Sequence, residues 1–187
     1  MDQFSFLSVL ISVILGLAVA EILQGFRGLL WSRTRIQIYW PVIGWAVLVL
    51  IVCFQHWWSM FGMRAHQDWT VQQFAIMVLE TILLYIVAGL VFPDFSGEAF
   101  IDLKQSFYAQ CRWFFALGVA IIMVSIGKHL LLDGQLPNPT KLIFQAMFGL
   151  TLFIGALTRR EWYHKTLVVF TNAAFVLYIV LLYARMR

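Results

Sequence analysis

Within "FAIMVLETILLYIV" one residue, Glu80, is charged, and no basic side chain lies in the same stretch to neutralise it. A carboxyl so placed must hold a proton or take a cation from another part of the chain, and acids of this kind line ion paths and proton relays. Two other segments bring suitable partners. "CFQHWWSM" carries Gln55 and His56, and "SIGKHLLLD" carries Ser125, Lys128 and His129. One acid, one lysine and two histidines at a common depth could pass protons or hold a cation, and the same groups also serve as hydrogen-bond glue between helices. Glu21, in "AVAEILQGFRG", is a second acid at the end of a long apolar run. Counted from Phe4 it lies about 26 Å along a helix, near a bilayer boundary, where Arg112 or an arginine of the following loop is the simplest partner.

The histidines also admit a metal or haem. His56 has Cys53 three residues before it and Met60 four after it, a soft-ligand face suited to copper(I). His129 has Asp133 one turn on, which could orient it from behind. Against this, the chain has no C-x-x-C, H-x-x-x-H or C-x-x-C-H spacing, so no cofactor is expected and the metal candidates stop at His56, His129, Cys53 and Met60. Cys53 and Cys111 fall at opposite depths, too far apart for a disulfide. No G-x-S-x-G, Walker loop, dinucleotide-binding glycine pattern or H-E-x-x-H occurs either, so an enzyme would have to work on lipid or quinone through dispersed intramembrane groups.

The elements that must carry these residues follow from composition. Hydrophobic residues make up 62% of the 187 and charged residues 12%, against roughly 45–50% and 25% in soluble domains. Stretches near the 20 or so apolar residues that a bilayer core requires run over 4–31, 39–63, 71–92, 107–132, 142–157 and 166–183. They predict an all-α integral membrane protein, a single six-transmembrane-helix bundle over 1–187 with short loops. The longest connection, from Pro93 to Ser106, leaves no room for a soluble domain. In it, the Phe100, Leu103 and Phe107 spacing predicts a short amphipathic helix on the membrane surface.

Ala18-Val19-Ala20 has the form of a signal cleavage site, but Asp2 precedes the apolar run and Arg27, Arg33 and Arg35 follow it, the reverse of a signal peptide. With the N- and C-termini on the outer side, eight Lys and Arg lie near inner loops and five near outer ones. The expected location is therefore the inner (plasma) membrane, multi-pass. The net charge of +4 then meets anionic lipid, with no nucleic acid as partner. Arg159, Arg160 and Lys165, beside Trp162 and Tyr163, suit phospholipid headgroups.

In the first helix Ser8, Ser12, Gly16, Ala20, Gln24 and Gly28 recur every four residues, which predicts a close helix contact along that row, with Glu21 at its inner end. The run "VFPDF" followed by "FYAQCRWFF" resembles a group of uncharacterised multi-pass bacterial inner-membrane proteins. The resemblance implies a six-helix bundle and carries over no functional residue. Three functional classes fit: an ion or proton channel or transporter built on the acidic and histidine cluster, a non-enzymatic accessory or assembly protein, and a haem- or copper-binding redox protein. Membrane lipids and further copies of the chain, in a homodimer or higher homo-oligomer, are the expected partners.

Overall fold

The computed structural model describes residues 3–31, 36–64, 69–95 and 100–184. Six helices carry the chain: α1 (Gln3–Trp31), α2 (Trp40–Ser59), α3 (Val71–Gly89), α4 (Leu103–Asp133), α5 (Pro139–Leu157) and α6 (Glu161–Ala184). Each contains a span long and apolar enough to cross a bilayer. A 3-10 turn, Met60–Met63, extends α2. Large apolar side chains such as Val71, Met123, Ile143 and Leu150 point outward. A water-soluble monomer rarely carries so much exposed apolar surface, and a multi-pass membrane protein needs it.

Polar residues set the helix ends, and they shift several boundaries from those that hydropathy predicts. Asp102 caps α4 by accepting from the amides of Lys104 and Gln105 at 2.8 and 3.3 Å, so the helix begins at Leu103, ahead of the predicted Phe107. The separate amphipathic helix predicted there is absent, because Leu103 and Phe107 belong to α4 and Phe100 lies outside any helix. Asn138, followed by Pro139, starts α5 three residues before the predicted Leu142. Thr70 and Gln73 form a reciprocal capping box at the start of α3. Gly134, at φ 64°, closes α4 in the left-handed conformation that glycine adopts without a Cβ penalty.

Two short strands, β1 (Ile36–Gln37) and β2 (Ile101–Asp102), pair in parallel, Ile36 opposite Ile101 and Gln37 opposite Asp102. This clasp ties the α1–α2 connection to the α3–α4 connection. Two more ties lie near it. Glu161 accepts from Lys104 at 2.6 Å and from Lys165 at 2.8 Å. His164 stacks on Phe115, with ring centroids 5.4 Å apart, and meets Phe107 and Tyr108 edge-on.

The packing of α1 departs from the predicted row. Its buried stripe is Leu7, Ile11, Leu15, Ala18 and Ile22, continuing to Gly25. Ser12, Gly16 and Gln24 face outward, and a side chain at Gly16 would meet nothing within 4 Å. A side chain at Gly25 would overlap the Phe92 ring instead. The close contact of α1 is therefore made largely by apolar side chains packed against α3, and glycine matters toward its C-terminal end, where Phe92 crosses Gly25 and Phe95 crosses Gly28, the last residue of the predicted row.

Candidate functional site

A cavity of about 540 Å³ lies among α2, α4, α5 and α6, with Glu80 of α3 in its wall. Its two ends differ in chemistry. Toward the clasp it is lined by Trp45, Phe114, Phe115 and Leu152; the other end holds Gln55, His56, Lys128, His129, Lys141 and Gln145.

Helical periodicity places the central groups. On α3 the buried positions are Met77, Glu80, Thr81, Leu84 and Val87, one face of the helix, so Glu80 points into the bundle. His56 continues the buried stripe of α2 through Val49 and Cys53. Lys128 Nζ donates to Glu80 Oε2 at 2.6 Å, and the two side chains are 8% and 6% exposed. The chain thus neutralises its deep acid with a lysine from a helix far along the sequence.

His56 completes the cluster in a defined tautomer. Thr81 gives its one hydroxyl proton to the Met77 carbonyl at 2.9 Å, so its Oγ1 accepts from His56 Nε2 at 3.2 Å. Neutral His56 therefore carries its proton on Nε2 and presents the Nδ1 lone pair to Glu80 Oε2, 3.9 Å away. A proton taken up at Nδ1 creates an imidazolium that competes with Lys128 for the same carboxylate oxygen. At the polar end, Lys141 Nζ donates to His129 Nε2 at 2.7 Å, and Gln145 Nε2 donates to Ser125 Oγ at 3.3 Å. Gln145 Oε1 is buried with no hydrogen-bond partner among the described residues.

Of the residues singled out by sequence, Gln55, His56, Glu80, Ser125, Lys128 and His129 share this cavity. Glu21 does not. It is half-buried on α1, outside the lining, and no ion pair joins it to a described residue; Arg112, its expected partner, is exposed. Cys53 and Met60 are buried, but His56 has its Nε2 on Thr81 and its Nδ1 toward Glu80. Among the described residues no three His, Cys, Asp or Glu side chains come together to hold a metal. Cys53 and Cys111 are free thiols, and the Asp133 side chain lies outside the described residues. Arg159 and Arg160 are exposed between α5 and α6, whereas Lys165 is engaged with Glu161.

Sequence reasoning missed Lys141 and Gln145. They sit one turn apart on α5, a pairing hidden while the helix was taken to begin at Leu142. It also missed His164, which is fully buried and donates from Nε2 to the Thr158 carbonyl at 2.7 Å. Its spacing to the buried Leu167, Val168 and Thr171, at i+3, i+4 and i+7, was the available signal. Comparison of the chain with protein-family models, with curated proteins and with solved structures finds no match.

Proposed function

We propose that the protein is a proton-coupled transporter of the inner (plasma) membrane, and that Glu80, His56 and Lys128 form its working site. The observation that carries this reading is the Nδ1 lone pair of His56 facing the oxygen that Lys128 already holds. A buried ion pair is expensive to keep in a membrane, and a neighbouring base that can break it by taking one proton gives the pair a use beyond packing. Uptake of a proton at His56 draws Glu80 away and frees the lysine cation at the head of the cavity. Loss of the proton restores the pair. Two states of one cluster, exchanged by a proton, are what coupling requires. The outward face of Ser12, Gly16 and Gln24 on α1 supports assembly as a homodimer, since small side chains allow close helix approach in lipid.

Proton flux into proteoliposomes under an imposed gradient tests this function. Wild type should acidify the lumen faster than empty liposomes. His56→Gln, which can still donate to Thr81 but cannot carry the proton, should lower the rate at least about ten-fold while melting normally. Absence of wild-type flux, or an undiminished His56→Gln rate, would remove the transport reading and leave an accessory or assembly role for a well-packed bundle.

A further inference from the structure

We infer that the protein binds one water molecule behind the floor of the large cavity, bridging the indole N–H of Trp45 and the amide of Gln110, and that this water fixes the floor in place. The site stands whether or not the chain moves protons.

A second, far smaller cavity holds the bridge. It measures about 10 Å³ and lies among α2, α4 and Leu90 and Val91, which follow α3. Trp45 and Phe114 line it as well as the large cavity, so their rings form the partition between the two. Most of the remaining wall is apolar, from Val42, Leu90, Val91 and Phe107. Trp45 and Gln110 break that pattern. Each has a buried atom with no hydrogen-bond partner among the described residues, Nε1 of the indole and Oε1 of the amide.

The two atoms need opposite partners. An indole N–H only donates, and a carboxamide oxygen only accepts. Trp45 is 2% exposed and stands five residues after Trp40, the first residue of α2, about 8 Å along a span that bulk water does not reach. A polar group stranded there is destabilising, and buried tryptophans usually find an acceptor. A direct bond between the two would satisfy both, but the structure does not make one. The indole packs edge-on against Phe114 and Phe115 instead, with ring centroids 5.4 and 5.2 Å away. Whatever joins the pair must accept from one and donate to the other.

Size and polarity then name the ligand. About 10 Å³ is room for one water-sized sphere, at the lower end of the roughly 10–15 Å³ that a buried water needs, and for no larger solute. The indole N–H repels a cation, and the carboxamide oxygen repels an anion. A water molecule accepts from Trp45 and donates to Gln110, which leaves its second hydrogen for the Cys111 sulfur, a weak acceptor on the same wall. With the amide turned the other way round, the water accepts from its NH₂ as well, so the bridge holds in either orientation. It joins α2 to α4 and keeps the indole in one orientation against the two phenylalanines.

The test uses the full chain, deuterated on carbon and labelled with nitrogen-15, in deuterated detergent micelles. Magnetisation transfer from water to the indole N–H protons is recorded in the laboratory frame and in the rotating frame. A bound water gives cross-peaks of opposite sign in the two experiments, and simple proton exchange gives the same sign in both. Trp45→Phe, which keeps an aromatic ring at the site, assigns the Trp45 peak by its loss. We expect an opposite-sign cross-peak at Trp45. Gln110→Leu should abolish it and shift the indole proton toward the frequency of an unbonded N–H. That variant leaves every hydroxyl of the chain in place, so a signal relayed through a hydroxyl would survive it. Val42→Ile, which adds a methyl group to the cavity wall and keeps Gln110, should remove the cross-peak too. A wild-type Trp45 proton without a water cross-peak, one with the same sign in both experiments, or a cross-peak that persists in both variants would each overturn the assignment.

Discussion

Glu80 and Lys128 each lose most of their hydration, and what makes the arrangement tolerable is that they lose it together. Removing one partner strands the other. Lys128→Met should therefore destabilise the protein by about 3–5 kcal/mol, whereas Glu80→Leu combined with Lys128→Met should return stability to within about 1–2 kcal/mol of wild type, because a buried ion pair exchanged for apolar side chains is often near neutral. Unfolding in detergent, run as a double-mutant cycle, measures the coupling. Simple addition of the two single losses would show that no direct pair exists. The same pair shows what a linear sequence conveys at this scale. Glu80 announces itself, because a lone acid in an apolar helix demands a partner, and the list of depth-matched partners contained Lys128. The tautomer of His56 was hidden, since it depends on where the Thr81 hydroxyl proton goes.

At the scale of elements, hydropathy located six helices because lipid imposes a minimum length on each one. It misplaced their ends, since first turns are polar and are set by Asp102 and Asn138 through backbone bonds. It also missed the stripe of α1 that carries most of its packing within the chain. The four-residue spacing of small side chains and the stripe of Leu7, Ile11, Leu15, Ala18 and Ile22 run along the same helix, and periodicity alone does not say which faces a neighbour. The structure ranks two substitutions accordingly. Gly25→Leu drives a side chain into Phe92 and should lose about 1–3 kcal/mol. Gly16→Leu enters open space and should change the stability of the isolated chain by no more than about 0.5 kcal/mol. Thermal melting of both variants decides it, and equal losses would restore the small-residue row as the packing face.

For the molecule as a whole, the single span α5 puts the α4–α5 and α5–α6 connections on opposite sides, and we propose that the excess of lysine and arginine near one set of loops orients them. A maleimide should reach Arg160→Cys only from the cytoplasm and Leu136→Cys only from outside; both positions are exposed, and the native Cys53 and Cys111 are buried. Labelling of both from one side would break the alternation of spans, and a swap would invert the protein. The β1–β2 clasp has a mechanical corollary. It lies, with the Glu161 ion pairs and the ring stack on His164, at the end of the bundle farthest from Lys141, so the helices are arms braced at the base by backbone, charge and ring contacts and joined at the tips by the α4–α5 connection and by side-chain bonds, Gln73 to the Leu131 carbonyl, Lys141 to His129 and Gln145 to Ser125. Each arm is about 28 Å long for a helix of 19 residues such as α5. A rotation of about 6° at the base moves the tip by about 3 Å, one hydrogen-bond length, enough to part Lys141 from His129 and Gln145 from Ser125 while the base stays closed.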